Sequence, residues 1–156
     1  RRWKNVIGVG SGKEGNERQQ TSGTVAEDYG RTTEIGGYLG QKNMTIQLWK
    51  SYSDEMVIEI EAPNGTSAGP IKQILGKQQF ILDGTQILLY YGEPSPFNLD
   101  QQIYIELIPS TREYITEGVW KIKLSGINII KGNFDMWLPS SVGKETKFLN
   151  TNIERT

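Results

Sequence analysis

The feature that most constrains the fold of this chain is an apolar period of two, which recurs from residue 43 onward. In the first run, Met44, Ile46 and Leu48 alternate with side chains of the other parity. Such alternation predicts strands with one buried face. No stretch from 21 to 149 keeps a helical period of 3.6 for three turns, so an all-β fold is expected. The clearest runs are 44–48, 56–60, 103–107, 120–124 and 134–138.

Residues with turn chemistry separate these runs, because Gly and Asn accept positive φ and Pro fixes φ. Asp83-Gly84 stands between "QQFIL" and "TQILLYY" and suits a two-residue type I′ hairpin. Short strands joined by turns, without long helices between them, predict an antiparallel sandwich or barrel. Eight or so strands in two sheets would form a jelly-roll-like β-sandwich.

Composition excludes several functional classes. The 156 residues predict one domain, and 17 basic against 18 acidic residues, without a block of like charge, argue against a nucleic-acid partner. The chain has no cysteine and no histidine, so no disulfide, zinc site, other metal site or cofactor is expected. The longest apolar run, 87–91, is far below the roughly 20 residues of a membrane helix, so no membrane contact is predicted.

Ser67 raises the question of catalysis. Gly65-Thr66-Ser67 is a near match to the Gly-Thr-Ser that carries the nucleophile of subtilisin-like serine proteases, but Pro70 follows one residue too soon. A serine nucleophile needs a base, usually histidine, and none exists here. A lysine base is conceivable, but the sequence places none. Ser67 is therefore predicted to lie in a turn after a strand that ends near Glu61.

A second apparent motif is the run from Gly10 to Gly15, which fits G-x-G-x-x-G after a short strand at 3–10. The segment that follows, "NERQQTSG", is wholly polar and cannot supply the helix of a dinucleotide site. Glu14 also stands where a phosphate-binding loop requires Ser or Thr after Gly12-Lys13. No phosphate site is predicted.

Aromatic and acidic residues allow two further hypotheses. Jelly rolls often carry sugar-stacking platforms, and the aromatic candidates are Trp49, Trp137, Tyr90, Tyr91 and Tyr104. The alternative is that both faces of some strands are covered. Asp54 with Glu55, or Glu59 with Glu61, could be calcium ligands or a glycosidase pair, but solvated charge is the expectation for all four.

Several segments together resemble a known family. The loop "SGKEGN" at 11–16 is similar to the subtilase block Ala-Gly-Asn-x-Gly. Gly118-Val119-Trp120-Lys121-Ile122 and the later Phe134–Pro139 segment resemble strands of the clostridial subtilisin-like proteases associated with spore germination, and "YYGEPSPF" and 146–149 also fit. In that branch a jelly-roll domain is inserted between the Asn-bearing loop and the catalytic serine.

The resemblance implies a division of the chain and a function. Residues 1–25 would close a subtilase core strand and its Gly-rich loop, 26–149 would form the jelly-roll insert, and 150–156 would return to the core. The catalytic Asp, His and Ser would all lie outside 1–156, so this chain would not be an enzyme. The insert would stabilise a bacterial parent serine endopeptidase and contact its catalytic core, its prodomain or another protein. The resemblance implies that this parent is either made in the cytoplasm or associated with the spore.

Lys13 departs from the family pattern. It occupies the position of the family's oxyanion-hole Asn, and loss of one such donor typically costs about 10²–10³ in turnover. The resemblance implies a parent subtilisin-like serine peptidase that is either active or degenerate, and Lys13 favours a weakened or inactive one. A carbohydrate-binding jelly-roll module is the alternative function, and a small hydrolase centred on Ser67 is the third hypothesis.

Overall fold

The structure, a computed structural model, describes residues 20–93, 96, 97, 99–139 and, for the backbone, 147–155. Within these ranges the chain forms eleven β-strands and no helix, which confirms the all-β prediction. None of its described segments is therefore a helix that could cross a membrane. The strand expected at 3–10 and the Gly-rich loop after it lie outside the described residues.

The strands form two sheets, one of six strands and one of five. In spatial order the six-stranded sheet contains β1 (Gln20–Thr24), β10 (Asn133–Trp137), β3 (Met44–Ser51), β8 (Asp100–Pro109), β7 (Thr85–Tyr91) and β6 (Gly76–Leu82). The five-stranded sheet contains β11 (Lys147–Arg155), β2 (Gly30–Gly37), β9 (Gly118–Asn128), β4 (Glu55–Glu61) and β5 (Ser67–Ile71).

The pairings are nested as in a jelly roll. β1 pairs with β10, β2 with β9, β3 with β8 and β4 with β5, all antiparallel. This is the pattern of one long hairpin rolled up so that successive pairs alternate between the two sheets. The β6–β7 hairpin is an addition that extends the six-stranded sheet beyond β8.

The core lies between the sheets and is built by the predicted alternation. On β3, Met44, Ile46 and Leu48 are buried while the residues between them are partly exposed. β8 repeats the pattern with buried side chains at 103, 105 and 107, and β9 contributes Trp120, which is fully buried. Apolar burial of this kind is the main favourable term in folding.

The hairpin between β6 and β7 matches the turn prediction. Leu82 lies opposite Thr85, and both turn residues have positive φ, 52° at Asp83 and 70° at Gly84. These values fit a two-residue type I′ turn. Arg112 donates to the Asp83 carboxylate at 2.9 Å and covers the turn from the β8–β9 loop.

β1 lies just before the predicted boundary at 25/26, and β11 crosses the predicted boundary at 149/150. β1 pairs with β10, and β11 pairs with β2, so both belong to the hydrogen-bonded sheets of the sandwich. The assignment of the flanking segments to a protease core stays a prediction.

Trp120→Ala is expected to lower the free energy of unfolding by about 3–5 kcal/mol. The reason is that the substitution empties a fully buried site and removes the hydrogen bond from the indole Nε1 to Thr116 O, 3.0 Å long. Denaturant unfolding followed by circular dichroism measures the change. Val119→Ala, at the exposed neighbouring position, is the control and should have little effect; equal losses would contradict the packing described here.

Candidate functional site at the Asp54 end

One end of the sandwich is organised around a buried acidic residue. The register places Ser51, the end of β3, opposite Asp100, the start of β8, and Glu55, the start of β4, opposite Asn128, the end of β9. The connections at these four strand ends therefore lie at the same end of the sandwich. We call it the Asp54 end. Its connections are 25–29, 52–54, 72–75, 92–99 (described at 92, 93, 96, 97 and 99) and 129–132.

Asp54 holds the β9–β10 loop through its carboxylate. Its Oδ1 accepts hydrogen bonds from the backbone amides of Ile130 at 2.7 Å and Lys131 at 2.8 Å, and its Oδ2 accepts one from Gly132 at 2.7 Å. The residue is fully buried. Hydrogen bonds from backbone amides to a carboxylate are short and strong, and three of them offset much of the free-energy cost of burying the charge.

Lys50 lies beneath the same turn. It is only 2% exposed, and its Nζ donates to Asp54 O at 2.7 Å and to Ser51 O at 3.1 Å. Burial lowers the pKa of Lys50 from 10.5 to about 8, and the negative charges of Asp54 and Glu55 oppose this shift. The buried cation therefore stands beside a buried anion, and both are held by backbone groups.

The same turn also fixes the β7–β8 connection. The Tyr52 amide donates to Leu99 O, and the Tyr52 hydroxyl donates to Gly92 O, each at 2.9 Å. Gln101 Nε2 reaches Gly92 O at 3.2 Å from the neighbouring strand. The 52–54 turn thus connects the loops on both of its sides, and the Asp54 end is a pre-organised surface.

A cavity of about 170 Å³ opens near this end, lined by Trp49, Lys50, Ser51, Asp100, Lys131, Asn133 and Asp135. Its chemistry does not indicate catalysis. Lys50 is engaged as a donor to carbonyls, and Asp135 accepts from Ser22 Oγ at 2.8 Å. Across the described residues, no group of three potential ligands converges on a metal position.

Ser67 lies at the other end of the sandwich, where it is exposed and begins β5. The turn before it spans 62–66: Gly65 N donates to Ala62 O, and Asn64 Oδ1 accepts from the amide and the hydroxyl of Thr66. Gly65 has φ of 93°, which favours glycine. A turn does follow the strand that ends at Glu61, but Ser67 is the first residue of β5, so the prediction that Ser67 lies in the turn is wrong. The absence of a catalytic role stays a prediction.

The five aromatic candidates separate into two environments. Trp49, Trp137, Tyr104 and Tyr90 occupy the outward parity of the six-stranded sheet, with Tyr104 directly opposite Tyr90. Tyr91 is instead fully buried between the sheets. Sugar binding by the outward group stays a hypothesis.

The acidic candidates also separate. Glu61 is on the outer face of β4 and forms an ion pair with Lys123 at 2.7 Å, and Glu59 lies on the same face opposite Lys123 in register. The expectation of solvated charge is wrong for Asp54, which is buried because three amides replace its water. Its structural role was missed, since "SYSDE" resembles any exposed polar turn.

A signal for Lys50 was present in the sequence. Lys50 continues the inward parity of Met44, Ile46 and Leu48, and Gln101 continues that of Ile103 on β8. The two polar residues face each other in register and are both buried. Strict application of the period-two pattern therefore predicts a buried polar layer at this end.

Lys13, the predicted oxyanion-hole position, lies outside the described residues.

Comparison with known proteins finds a likeness among solved structures. No family model matches the sequence, and no curated protein matches it. Among solved structures, the CspB protease of Clostridium perfringens matches with a TM-score of 0.77 and 27% sequence identity. The chain resembles part of a protease. The match covers 88% of this chain and 28% of that protease, so this chain spans well under a third of its length.

Asp54→Asn is expected to lower the free energy of unfolding by about 2–3 kcal/mol, because an amide NH₂ cannot accept the Gly132 hydrogen bond and Lys50 loses its nearest carboxylate. Denaturant unfolding measures the loss, and hydrogen exchange should accelerate at the amides of 130–132. Glu55→Gln removes the same charge at an exposed neighbour and is the matched control. Equal effects of the two substitutions would contradict the structural role of Asp54.

Lys50 should make the stability of the fold rise with pH in the alkaline range. Between about pH 8 and 10.5 the unfolded chain keeps a proton on Lys50 that the folded chain has lost, so the free energy of unfolding increases. Across this whole pH range, deprotonation of Lys50 raises the free energy of unfolding by about 3 kcal/mol. Lys50→Met should remove this rise, whereas Lys77→Met, at an exposed position, should retain it. Unfolding curves at pH 7.5, 9 and 10 test this, and parallel pH profiles for wild type and Lys50→Met would overturn it.

Proposed function

We propose that this chain is a non-catalytic β-sandwich domain within a larger subtilisin-like serine protease, where it stabilises the remainder of that protein by packing against it. The observation that carries the proposal is that the structural match covers 88% of this chain but only 28% of the protease. A module that corresponds to a minor part of a protease is suited to a supporting role.

The chemistry of the described residues supports a role without catalysis. The chain has no histidine, and Ser67 is exposed at a strand end with Glu61 as its cross-strand neighbour. The buried Lys50 donates to two backbone carbonyls beneath the turn. Neither residue has the relation of nucleophile to base that acyl transfer requires.

The two segments that resemble the protease branch contribute buried side chains to the core, which also supports the proposal. Trp120 of the Gly118–Ile122 segment is in the centre of the core, and Phe134, Met136 and Leu138 of the later segment are buried. Their pattern therefore reflects the packing of the sandwich. We propose further that Lys13 weakens or abolishes oxyanion stabilisation in the parent, so that the parent acts in part through binding.

The test is the full reading frame that contains this chain, together with a variant lacking residues 26–149. We expect Asp and His motifs upstream and a Gly-Thr-Ser-x-Ala block downstream. We also expect the deletion to lower the melting temperature of the remaining protein by several degrees, because a packed neighbour is lost. Differential scanning calorimetry measures this.

In the deletion variant, a short Gly-Ser linker replaces residues 26–149, so that the remaining chain stays connected. A reading frame without protease motifs would refute the protease relationship. An unchanged melting temperature in a frame that does contain them would refute the stabilising role alone.

A further inference from the structure

The turn between β4 and β5 contains an asparagine followed directly by a glycine, Asn64 and Gly65. Residues 64–67 are all exposed to solvent. The space around Gly65 is open, because a Cβ built at this position would meet no atom outside its chain neighbours within 4 Å. Glycine also rotates about its backbone bonds more freely than other residues. The structure therefore leaves room for the Gly65 amide nitrogen to approach the side-chain carbon Asn64 Cγ.

The side chain of Asn64 is bound by Thr66. Asn64 Oδ1 accepts a hydrogen bond from the Thr66 amide at 3.0 Å and another from the Thr66 hydroxyl at 2.7 Å. Both donors draw electron density away from the side-chain carbonyl. They also bind the oxygen on which negative charge develops when a nucleophile adds to Asn64 Cγ, and donors in that position stabilise the oxyanion. The turn thus activates the side-chain amide of Asn64 toward attack.

We propose that Asn64 is a site of spontaneous covalent modification, at which this turn deamidates asparagine to aspartate and isoaspartate. The Gly65 nitrogen loses its proton and forms a bond to Asn64 Cγ. The bond from Cγ to Nδ2 breaks, and the side-chain nitrogen takes up a proton and leaves as ammonia, so that a cyclic imide remains. Water then cleaves either C–N bond of the imide, which gives aspartate or isoaspartate. The reaction consumes water, releases ammonia and does not depend on the function proposed above.

A hydrogen bond of the same turn opposes the reaction. The Gly65 amide donates to Ala62 O at 2.9 Å, and this bond must open before the nitrogen attacks. An exposed hydrogen bond between neutral groups has a small net stability, so its opening lowers the rate by only about fivefold. The two hydrogen bonds from Thr66 act in the opposite direction, because they bind the carbonyl oxygen that receives the charge. We therefore expect Asn64 to react faster than an exposed asparagine that precedes a larger residue.

The two products differ in their effect on β5, which is the edge strand of the five-stranded sheet. Aspartate keeps an oxygen acceptor for the Thr66 amide and hydroxyl, so the turn is preserved. Isoaspartate places its own Cβ in the main chain and lengthens the turn that is closed by the 2.8 Å hydrogen bond from Ala62 N to Thr66 O. The adjoining pair of Glu61 with Ser67 then loses its register. Formation of isoaspartate should therefore loosen the start of β5.

Incubation of the full chain in mildly alkaline buffer, followed by peptide mapping with mass spectrometry, tests the proposal. Asn43 is an internal reference, since it is also exposed but precedes Met44. We expect Asn64 to convert at least about tenfold faster than Asn43, because a side chain on the following residue hinders the approach of its nitrogen. The rate should rise with pH, since the nitrogen attacks after losing its proton. In the isoaspartate fraction, hydrogen exchange should accelerate at the amides of β5.

Variants of Thr66 test whether the hydrogen bonds of the turn help to set the rate. Thr66→Val removes the hydroxyl donor with little change in shape and should slow the conversion of Asn64 by at least about threefold, whereas Thr66→Ser keeps the donor and should react like wild type. In denaturant the difference between wild type and Thr66→Val should disappear. Circular dichroism verifies that both variants are folded. Conversion of Asn64 no faster than that of Asn43, or equal rates in folded wild type and Thr66→Val, would overturn the proposal.

Discussion

The connections at one end of this sandwich depend on a carboxylate that has left water. Asp54 is bound by three consecutive amides of the β9–β10 loop, and its own carbonyl accepts the ammonium of Lys50. A buried carboxylate without such partners would be protonated or would force the loop open. The local fold therefore depends on these hydrogen bonds.

Lys50 makes this arrangement costly as well as specific. Its lowered pKa means that burial disfavours the charged form of Lys50. Its hydrogen bonds to two carbonyls and the negative charge of Asp54 offset part of that free-energy cost. An apolar residue at this inward position of β3 would pack without that penalty. Lys50 donates to the carbonyls of Ser51 and Asp54 on either side of a turn that fixes two exposed loops, so the polar layer helps to define the geometry of those loops.

The extent to which sequence predicted the structure differs between elements. Alternation identified β3, β4, β8, β9 and β10, and Asp-Gly identified the β6–β7 hairpin, because a strand buried on one face imposes a period of two. β2 reads "GRTTEIGG", in which Ile35 is the one large apolar side chain, and β5 is interrupted by Gly69-Pro70. Strands of this kind are held by their neighbours in the sheet, so their own residues carry little signal.

The candidate site was less predictable than the fold for a related reason. Lys50 and Gln101 have the correct parity, but a polar residue at the end of an apolar run indicates equally well that the strand has ended. The decisive relation is between Asp54 and amides 76 to 78 residues away, which belong to a different connection between the two sheets. Backbone amides have no side-chain signature, so no residue pattern in 129–132 announces that a carboxylate will bind there.

Similarity to a protease and the chemistry of the loops address different questions. The structural match extends over nearly the whole chain, which means that it reports the scaffold of nested strand pairs. A scaffold of this type serves many functions, because its connections can change without altering the core. At one end, this chain combines a fixed turn at 52–54 with exposed apolar side chains such as Leu99 and Ile130. Because this turn holds both loops, a change in the buried polar layer should alter the position of these side chains even though it leaves the exposed residues themselves unchanged.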